Sequence, residues 1–235
     1  MTDKKAERIQ TSFLNGIEKK ALVWLAARQP KWMVSDMLTF IGTLGAIVIA
    51  AGYILSSQSI HFLWLSSLGF IINWYGDSLD GTLARVRDMQ RPIYGYYIDH
   101  TVDCINEAFM FLGVGLSPLM NLPLALMILV VYLFLTINVS VNAHLKGEFK
   151  LTYLKLGPTE FRVFAILVNT LFILVRPLRD FSQQVNILGH PAELRALDVA
   201  GTIVLVLLVV IYLITIISDA RAYAKADPMP EKKKD

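Results

Sequence analysis

The chain has 235 residues, of which 55% are hydrophobic and only 17% are charged. Its mean hydropathy of +0.53 excludes an ordinary water-soluble domain and indicates a protein that crosses a membrane several times. The net charge of +3 is small, and the sequence has no nucleic-acid motif, so no nucleic-acid partner is expected. A single cysteine, Cys104, excludes an intramolecular disulfide framework, so helix packing must hold the fold.

The segment before the first long apolar run predicts an amphipathic helix. In the stretch NGIEKKALVWLAARQP, Asn15 and Glu18 fit a capping box, and Pro30 would end the helix. One face is apolar and includes Ile17 and Trp24, while lysines occupy the opposite face. We expect this helix to lie on the inner membrane surface. The alternative is a short soluble helix that packs against the rest of the protein.

Apolar runs with about the 20 residues that a membrane-spanning helix needs recur along the rest of the chain. The predicted spans are Met37–Leu55, Phe62–Trp74, Ile98–Leu116, Leu122–Val141, Phe161–Val175 and Val199–Ile217. The second and fifth are short and should extend into flanking polar residues. The predicted fold is therefore an all-α integral membrane protein with six transmembrane helices and an N-terminal interfacial helix.

The distribution of basic residues predicts the orientation of these spans. If the N-terminus is cytoplasmic, all but three of the 22 Lys and Arg residues lie on the cytoplasmic side. The positive-inside rule therefore places both termini, and the connection between the second and third spans, in the cytoplasm. The predicted organisation is an N-terminal cytoplasmic segment at 1–33, a six-helix membrane domain at 34–220 and a basic cytoplasmic tail at 221–235.

Four aspartates lie at the membrane edge, where the second span ends and the third begins. Asp77 and Asp80 are three residues apart, and Asp99 and Asp103 are four apart, so each pair shares one helix face. Four unpaired carboxylates would repel one another, and two hard divalent cations such as Mg²⁺ or Mn²⁺ would neutralise them. The structural alternative is that each aspartate caps a helix and faces water alone.

Small and basic residues accompany the aspartates. Gly81, Ala84 and Gly95 would let a backbone or a ligand approach closely. Arg85 and the arginines at 87 and 91 are suited to phosphate oxygens, which arginine binds in bidentate fashion. This combination predicts a phosphate-ester substrate bridged through divalent ions, because two-metal sites stabilise in-line displacement at phosphorus.

The same residues form a motif that resembles the signature of the CDP-alcohol phosphotransferases, membrane enzymes of phospholipid synthesis. That signature reads D-x-x-D-G-x-x-A-R, a connection, then G-x-x-x-D-x-x-x-D. Its fixed positions are all matched here, at Asp77, Asp80, Gly81, Ala84, Arg85, Gly95, Asp99 and Asp103. The connection at 86–94 is one residue longer than usual. It is predicted to loop, where an insertion costs little.

The resemblance implies a reaction in which a substituted phosphate passes from a CDP-linked donor to an alcohol hydroxyl, with release of CMP. It also implies that the four aspartates bind two Mg²⁺ or Mn²⁺ ions that hold the donor diphosphate. Asp103 would in addition be the general base, and Gly81, Ala84 and Arg85 would line the nucleotide site, with Gly95 nearby. Many members of the family form homodimers, so a homodimer is a candidate assembly.

The resemblance leaves two donor branches open. Either CDP-diacylglycerol donates a phosphatidyl group to a polar alcohol, or CDP-choline or CDP-ethanolamine donates its head group to diacylglycerol. His100, His144 and Glu160 resemble residues of the second branch, and His144 and Glu160 are candidate acceptor-binding residues. Against that branch, the chain is much shorter than its eukaryotic members. In a purely structural reading, Glu160 stabilises a helix start and His144 lies at a helix end.

Two further polar residues and one rival function complete the predictions. Glu107 continues the Asp99 and Asp103 face one turn deeper, and Arg162 would pair with it or bind an anionic acceptor. The rival function is a divalent-cation transporter that uses the same aspartates as an ion path. It does not explain the small residues and arginines beside them.

Overall fold

The computed structural model describes residues 7–9, 14–146, 148–150, 157–187 and 190–229. The helices in these residues are α1 Asn15–Ala27, α2 Ser35–Leu55, α3 Leu63–Val86, α4 Pro92–Gly115, α5 Leu122–Lys146, α6 Pro158–Leu174, α7 Arg176–Arg179 and α8 Ala196–Ala226. A 3₁₀ turn at Ile60–Phe62 precedes α3. Four strands in the same described residues form two pairs, a parallel one of β1 Glu7–Ile9 with β2 Glu148–Lys150 and an antiparallel one of β3 Ser182–Ile187 with β4 His190–Arg195.

Each predicted span coincides with one long helix, and the main differences lie at the connection between α3 and α4. The second span was expected to extend, and α3 runs on to Val86. α4 begins at Pro92, six residues before the predicted start at Ile98. Proline is favourable there because the N–H of a first helical residue has no acceptor within the helix, so its loss costs no hydrogen bond. The loop is therefore shorter than the predicted 86–94, and Asp88 within it adopts a positive φ of 53°.

Within the part of the chain that the structure describes, three helices are long and apolar enough to cross a membrane: α2, the stretch Leu122–Leu145 of α5, and α8. α3 and α4 each have 24 residues, which corresponds to about 36 Å. Both carry the aspartates and other polar residues, which lower their hydropathy. α6 is shorter, with 17 residues.

Consecutive long helices run antiparallel, so the start of α2, the end of α3 and the start of α4 meet at one end of the bundle. We call this the aspartate end. Ser35 Oγ at the start of α2 donates to the carbonyl of Asp80 near the end of α3, at 2.5 Å. At the other end of the pair, Ser66 Oγ donates to the carbonyl of Ile49 at 3.0 Å. The β3–β4 pair lies at the far end, because it connects the end of α6 to the start of α8.

Glycines let α2 and α3 pack with their backbones almost in contact. A Cβ atom on Gly45 would overlap the backbone of Asn73, and a Cβ atom on Gly76 would overlap the backbone of Gly42 and Leu38. Small residues allow such close approach between membrane helices, where packing rather than water exclusion drives association. This close pairing fixes the end of α3, and with it the first two aspartates, relative to α2.

α1 packs beneath the aspartate end, and its predicted capping box is wrong. The helix is capped by Leu14 without a side-chain hydrogen bond, and Asn15 is its first residue. The Glu18 carboxylate instead accepts hydrogen bonds from Trp74 Nε1 at 2.9 Å and from Thr159 Oγ1 at 2.5 Å. These contacts join α1 to α3 and α6. Glu18 therefore links helices in the tertiary structure and does not cap its own helix.

The two long faces of α1 differ in their surroundings. Leu22 and Ala26 are buried in a cluster with Leu79 and Leu83 of α3. Ile17 and Trp24 remain 74% and 55% exposed. The helix therefore packs on the bundle through one apolar stripe and presents a second apolar surface outward.

Arg87 holds the segment that follows α1 against the end of α3. Its guanidinium donates to the backbone carbonyls of Met33 at 2.5 Å, Gln29 at 2.8 Å and Pro30 at 2.9 Å. One arginine thus satisfies three carbonyls in the turn between α1 and α2.

Polar contacts join α8 to α5 at both ends. At the far end, the fully buried Asp198 accepts from the backbone and side-chain nitrogens of Asn121, at 2.6 and 2.8 Å. Towards the aspartate end, Asp219 Oδ2 accepts from Asn138 at 3.1 Å and from Asn142 at 2.7 Å. α8 continues to Ala226, so the predicted tail at 221–235 is helical at its start; positions 230–235 lie outside the described residues.

Candidate functional site

Three of the four predicted aspartates converge where α3 and α4 meet. Asp77, Asp99 and Asp103 each offer a carboxylate oxygen, and these oxygens all lie within 4.8 Å of one another. All three side chains are partly buried. The convergence follows from the helix faces that the residue spacing predicts, combined with the antiparallel packing of the two helices.

Asp80 is the fourth predicted ligand, and it lies outside this group of three. Its Oδ2 accepts a hydrogen bond from Thr39 Oγ1 at 2.6 Å, and its Oδ1 accepts from the backbone N–H of Gly81 at 2.5 Å. A carboxylate oxygen has two lone pairs, so each oxygen can accept a further partner. Ser35 and Thr39 of α2 both bond to Asp80. These two hydroxyl residues are four apart and share one helix face, which is the sequence signal that could have indicated the contact.

Arg162 of α6 reaches the cluster from a third helix. Its Nη2 donates to Asp77 Oδ2 at 2.5 Å and its Nε donates to Asn73 Oδ1 at 2.9 Å. The sequence predicted a pairing with Glu107 or with an anionic acceptor, and the structure pairs the guanidinium with Asp77 instead. A tertiary contact between α3 and α6 has no signal in the spacing of either helix.

In the described parts of α4 and α6, three buried polar side-chain atoms have no hydrogen-bond partner. Among the described residues, Glu107 Oε2, Asn106 Oδ1 and Arg162 Nη1 are buried and have no hydrogen-bond partner. Buried polar atoms are rarely left unsatisfied in proteins. Glu107 lies one turn from Asp103 on α4, and Arg162 bonds to Asp77, so at these two residues water or a ligand would find a partner beside the cluster.

The predicted nucleotide-site residues lie near the end of α3 and in the first turn of α4. Gly81 is on α3 next to Asp80, and the nearest atom to a Cβ built on it is Arg85 Nη1, at 3.4 Å. Arg85 Nη2 donates to Thr82 Oγ1 at 2.9 Å, and Ala84 is partly exposed. Gly95, in the exposed first turn of α4, has open space where a Cβ would stand. Their roles as substrate contacts stay predictions.

The residues that resemble the choline and ethanolamine branch are spread over three helices. His100 Nδ1 lies 2.9 Å from the carbonyl of Tyr96 and 3.9 Å from Asp99 Oδ2. His144 is exposed near the end of α5, which lies at the aspartate end of the bundle.

Glu160 lies at the start of α6, with both carboxylate oxygens bonded to helix starts. Oε2 accepts from the N–H of Gly157 at 3.0 Å, and Oε1 accepts from the N–H of Leu14 at 2.9 Å. These contacts are those of a helix cap that also ties α1 to α6. A role for Glu160 in acceptor binding stays a prediction.

The donor set fits a hard divalent cation. Carboxylate oxygens are the ligands that Mg²⁺ and Mn²⁺ prefer, and opposite ligands of an octahedral Mg²⁺ stand about 4.2 Å apart, twice the metal–oxygen distance. The three oxygens all lie within 4.8 Å of one another, so small movements of the side chains would let all three contact one ion. Asp77, Asp99 and Asp103 could therefore hold an ion directly, with Asp80 beside them.

An all-α bundle with apolar helices of membrane-crossing length and a carboxylate cluster at one end is an integral membrane protein with an acidic, cation-type site. A family model, that of CDP-alcohol phosphatidyltransferase, matches residues 32–226. The chain therefore belongs to the CDP-alcohol phosphatidyltransferase family, which confirms the resemblance seen in the motif.

One relative is the phosphatidylinositol phosphate synthase of Cutibacterium acnes (strain DSM 16379 / KPA171202). It is 36% identical to this chain over 81 residues, which make up 34% of this chain and 37% of the relative. The chain thus matches little more than a third of that protein's length.

Proposed function

We propose that this protein transfers a substituted phosphate group from a CDP-linked donor to the hydroxyl of an alcohol and releases CMP. The observation that carries the proposal is the convergence of Asp77, Asp99 and Asp103 within 4.8 Å of one another, in a chain that belongs to this family. Phospholipid synthesis is the process that such a transfer serves. The donor, the acceptor and the number of metal ions are part of the proposal.

The chain's own residues would bind, orient and deprotonate the substrates. Asp77, Asp80, Asp99 and Asp103 would hold two Mg²⁺ or Mn²⁺ ions, which supply positive charge to the donor diphosphate when bound. Asp103 would accept the proton of the acceptor hydroxyl. The hydroxyl oxygen then forms a bond to the donor phosphorus, and the bond from that phosphorus to the CMP oxygen breaks with its electron pair leaving on CMP.

Residues near the end of α3 and in the first turn of α4 would receive the nucleotide. Gly81, Ala84 and Gly95 leave room for it, and Arg85 brings a positive charge to phosphate oxygens. Arg85 Nη2 donates to the side chain of Thr82, whereas Arg87 donates to three backbone carbonyls of the turn after α1. We therefore assign the phosphate contact to Arg85 and a structural role to Arg87.

The donor that we propose is CDP-diacylglycerol, with a polar alcohol as acceptor. The name of the relative from Cutibacterium acnes states a phosphatidylinositol phosphate product, and making it attaches a phosphatidyl group to a polar alcohol. The branch that uses CDP-choline or CDP-ethanolamine rests on His100, His144 and Glu160. Glu160 is bonded to two backbone N–H groups, which weakens that branch.

The proposed placement in the membrane has six spans, with the aspartate end at the cytoplasmic face. α3 and α4 are long enough to cross at about 36 Å each, and the distribution of basic residues favours cytoplasmic termini. The exposed Ile17 and Trp24 of α1 would rest in the cytoplasmic headgroup region. The domain limits follow: an N-terminal segment at 1–33, a catalytic membrane domain at 34–220 and a tail at 221–235.

The rival function, a divalent-cation transporter, is disfavoured by one contact. Arg162 is buried and paired with Asp77, so a fixed positive charge would stand on the proposed ion path. Such a charge would repel a cation in transit. Uptake of Mn²⁺ into proteoliposomes, without CDP-linked substrate, is the outcome that would support the transporter.

The test of the proposed function is metal-dependent release of CMP by the purified protein. CDP-diacylglycerol, CDP-choline and CDP-ethanolamine are supplied in turn with Mn²⁺ or Mg²⁺ and a panel of alcohols, with diacylglycerol as acceptor for the last two donors. We expect release with CDP-diacylglycerol and a polar alcohol, and loss of release in Asp103→Asn. Asp180→Asn is the control, since Asp180 is an exposed aspartate at the far end. Unchanged release in Asp103→Asn would remove Asp103 from catalysis.

A further inference from the structure

Arg162 is a buried cation that touches the aspartate cluster from outside the motif. Its side chain is only 10% exposed, and it projects from the second turn of α6 towards α3. Burying a guanidinium group is costly unless the group is paired and hydrogen-bonded. The hydrogen-bond partners of Arg162 therefore indicate its role in the structure.

The guanidinium group bridges two side chains on one face of α3. It donates to Asn73 Oδ1 through Nε and to Asp77 Oδ2 through Nη2, at 2.9 and 2.5 Å. Asn73 and Asp77 are four residues apart and therefore stack on the same helix face. Asn73 is fixed in turn, because its amide nitrogen donates to the carbonyl of Gly42 at 3.0 Å. The planar fork of arginine thus holds the Asp77 carboxylate against a rigid neighbour.

The start of α6 is itself held in place, which fixes the origin of the Arg162 side chain. Glu160, two residues before Arg162, accepts from the N–H groups of Leu14 and Gly157. Thr159 donates to Glu18 of α1 at 2.5 Å. The Arg162 side chain therefore extends from a helix end whose position is fixed by contacts with α1.

We propose that Arg162 is a positioning residue for the cation site, which orients the Asp77 carboxylate towards the space shared with Asp99 and Asp103. The inference rests on the proposed function, because it concerns the ions that these aspartates would hold. Carboxylates that bind metals are commonly fixed by hydrogen bonds from outer residues. Loss of such a partner typically weakens metal binding by about 10–100-fold.

The competing explanation predicts that loss of Arg162 strengthens metal binding. If Arg162 only neutralised Asp77 in place of a cation, its positive charge would oppose metal binding, and its removal would strengthen that binding. Positioning and competition therefore predict changes of opposite sign in one measurable constant. A lysine would separate charge from shape, since it lacks the planar fork that contacts Asn73 and Asp77 together.

The experiment is a titration of the purified full chain with Mn²⁺, with free Mn²⁺ followed by electron paramagnetic resonance and without any nucleotide. We expect Arg162→Gln to raise the Kd for Mn²⁺ by about 10–100-fold and Arg162→Lys to give a Kd between that value and the wild-type one. The matched control is Asn169→Ala on the same helix. Asn169 is buried and bonds Tyr53 and Ser67 away from the aspartates, so its Kd should equal that of the wild type.

A double-mutant cycle then asks whether Arg162 acts through Asp77. In the Asp77→Asn background, Arg162→Gln should change the Kd no further. Equal or tighter Mn²⁺ binding in Arg162→Gln, or the same weakening in both backgrounds, would overturn the proposal. If Arg162→Gln does not fold, Arg162→Lys takes its place in the cycle, and a wild-type Kd for that variant would refute the proposal. A wild-type protein that binds no Mn²⁺ would refute the proposed cation site itself, which is a separate result.

Discussion

Replacing Gly76 with alanine should separate α2 from α3 and disturb the site one residue further along. A Cβ atom built on Gly76 lies 2.5 Å from the Cα atom of Gly42 and meets other backbone atoms of α2. Two carbon atoms prefer a separation of about 3.5–4.0 Å. The helices must therefore move apart by about 1 Å at this point, because the opposing atoms belong to backbone and cannot rotate away.

The structure sets the size of the expected effect. Overpacking of this kind typically costs about 1–3 kcal/mol, which corresponds to a fall of roughly 2–12 °C in Tm for a chain of this size. Asp77 directly follows Gly76, and the Ser35 hydrogen bond to the Asp80 carbonyl spans the same interface. A displacement of about 1 Å in a catalytic group can lower the rate by about 100-fold, so CMP release should fall together with stability.

The assay compares Tm by scanning fluorimetry and the rate of CMP release for Gly76→Ala and a matched control. Gly16→Ala is that control, because a Cβ on Gly16 has no heavy atom within 4 Å. The control should leave CMP release unchanged and stabilise α1 slightly through helix propensity, by at most about 1 kcal/mol. If Gly76→Ala kept both the Tm and the rate of the wild type, the close packing of α2 on α3 would be refuted.

Two further predictions concern carboxylates away from the cluster. Glu160→Gln should lower the free energy of unfolding by about 1–2 kcal/mol without changing the KM for the acceptor, since both oxygens of Glu160 bond to backbone N–H groups; a raised acceptor KM would instead support the acceptor role that the resemblance implies. Asp198→Ala should cost about 3 kcal/mol, because this fully buried carboxylate accepts three N–H groups. Chemical denaturation would measure that loss, and wild-type stability would contradict it.

The sequence predicted that carboxylates of α3 and α4 would cluster, because the residues that carry them are close in the chain. The spacing of Asp77 and Asp80, and of Asp99 and Asp103, placed each pair on one helix face, and antiparallel packing of the two helices brings Asp77, Asp99 and Asp103 together, with Asp80 outside that group. The apolar runs likewise located one helix each, at α2, α3, α4, α5, α6 and α8. Helix ends were less accurate: α4 begins at Pro92 because proline fits a first helical turn, which hydropathy does not register.

Contacts between distant segments could not be predicted from local patterns. Glu18 has the spacing of a capping residue, yet its carboxylate accepts hydrogen bonds from Trp74 and Thr159 instead of from the start of its own helix. Arg162 had two plausible partners in the sequence and bonds to a third, since the packing of α6 on α3 decides which carboxylate it reaches. The glycines of α2 and α3 did carry a signal, because they recur at 42 and 45 on α2 and at 69 and 76 on α3, separations that keep each pair near one helix face, and small residues are enriched where membrane helices pack closely.

Crystals grown with Mn²⁺ and CDP offer the most direct test of the claim that α3 and α4 form a cation site for a diphosphate. Diffraction data collected at the manganese absorption edge would locate the ions without reference to the protein atoms. We expect anomalous density between Asp77, Asp99 and Asp103, in contact with the diphosphate of CDP. Manganese bound elsewhere, or aspartates that stay free of metal while CDP is bound, would contradict that claim.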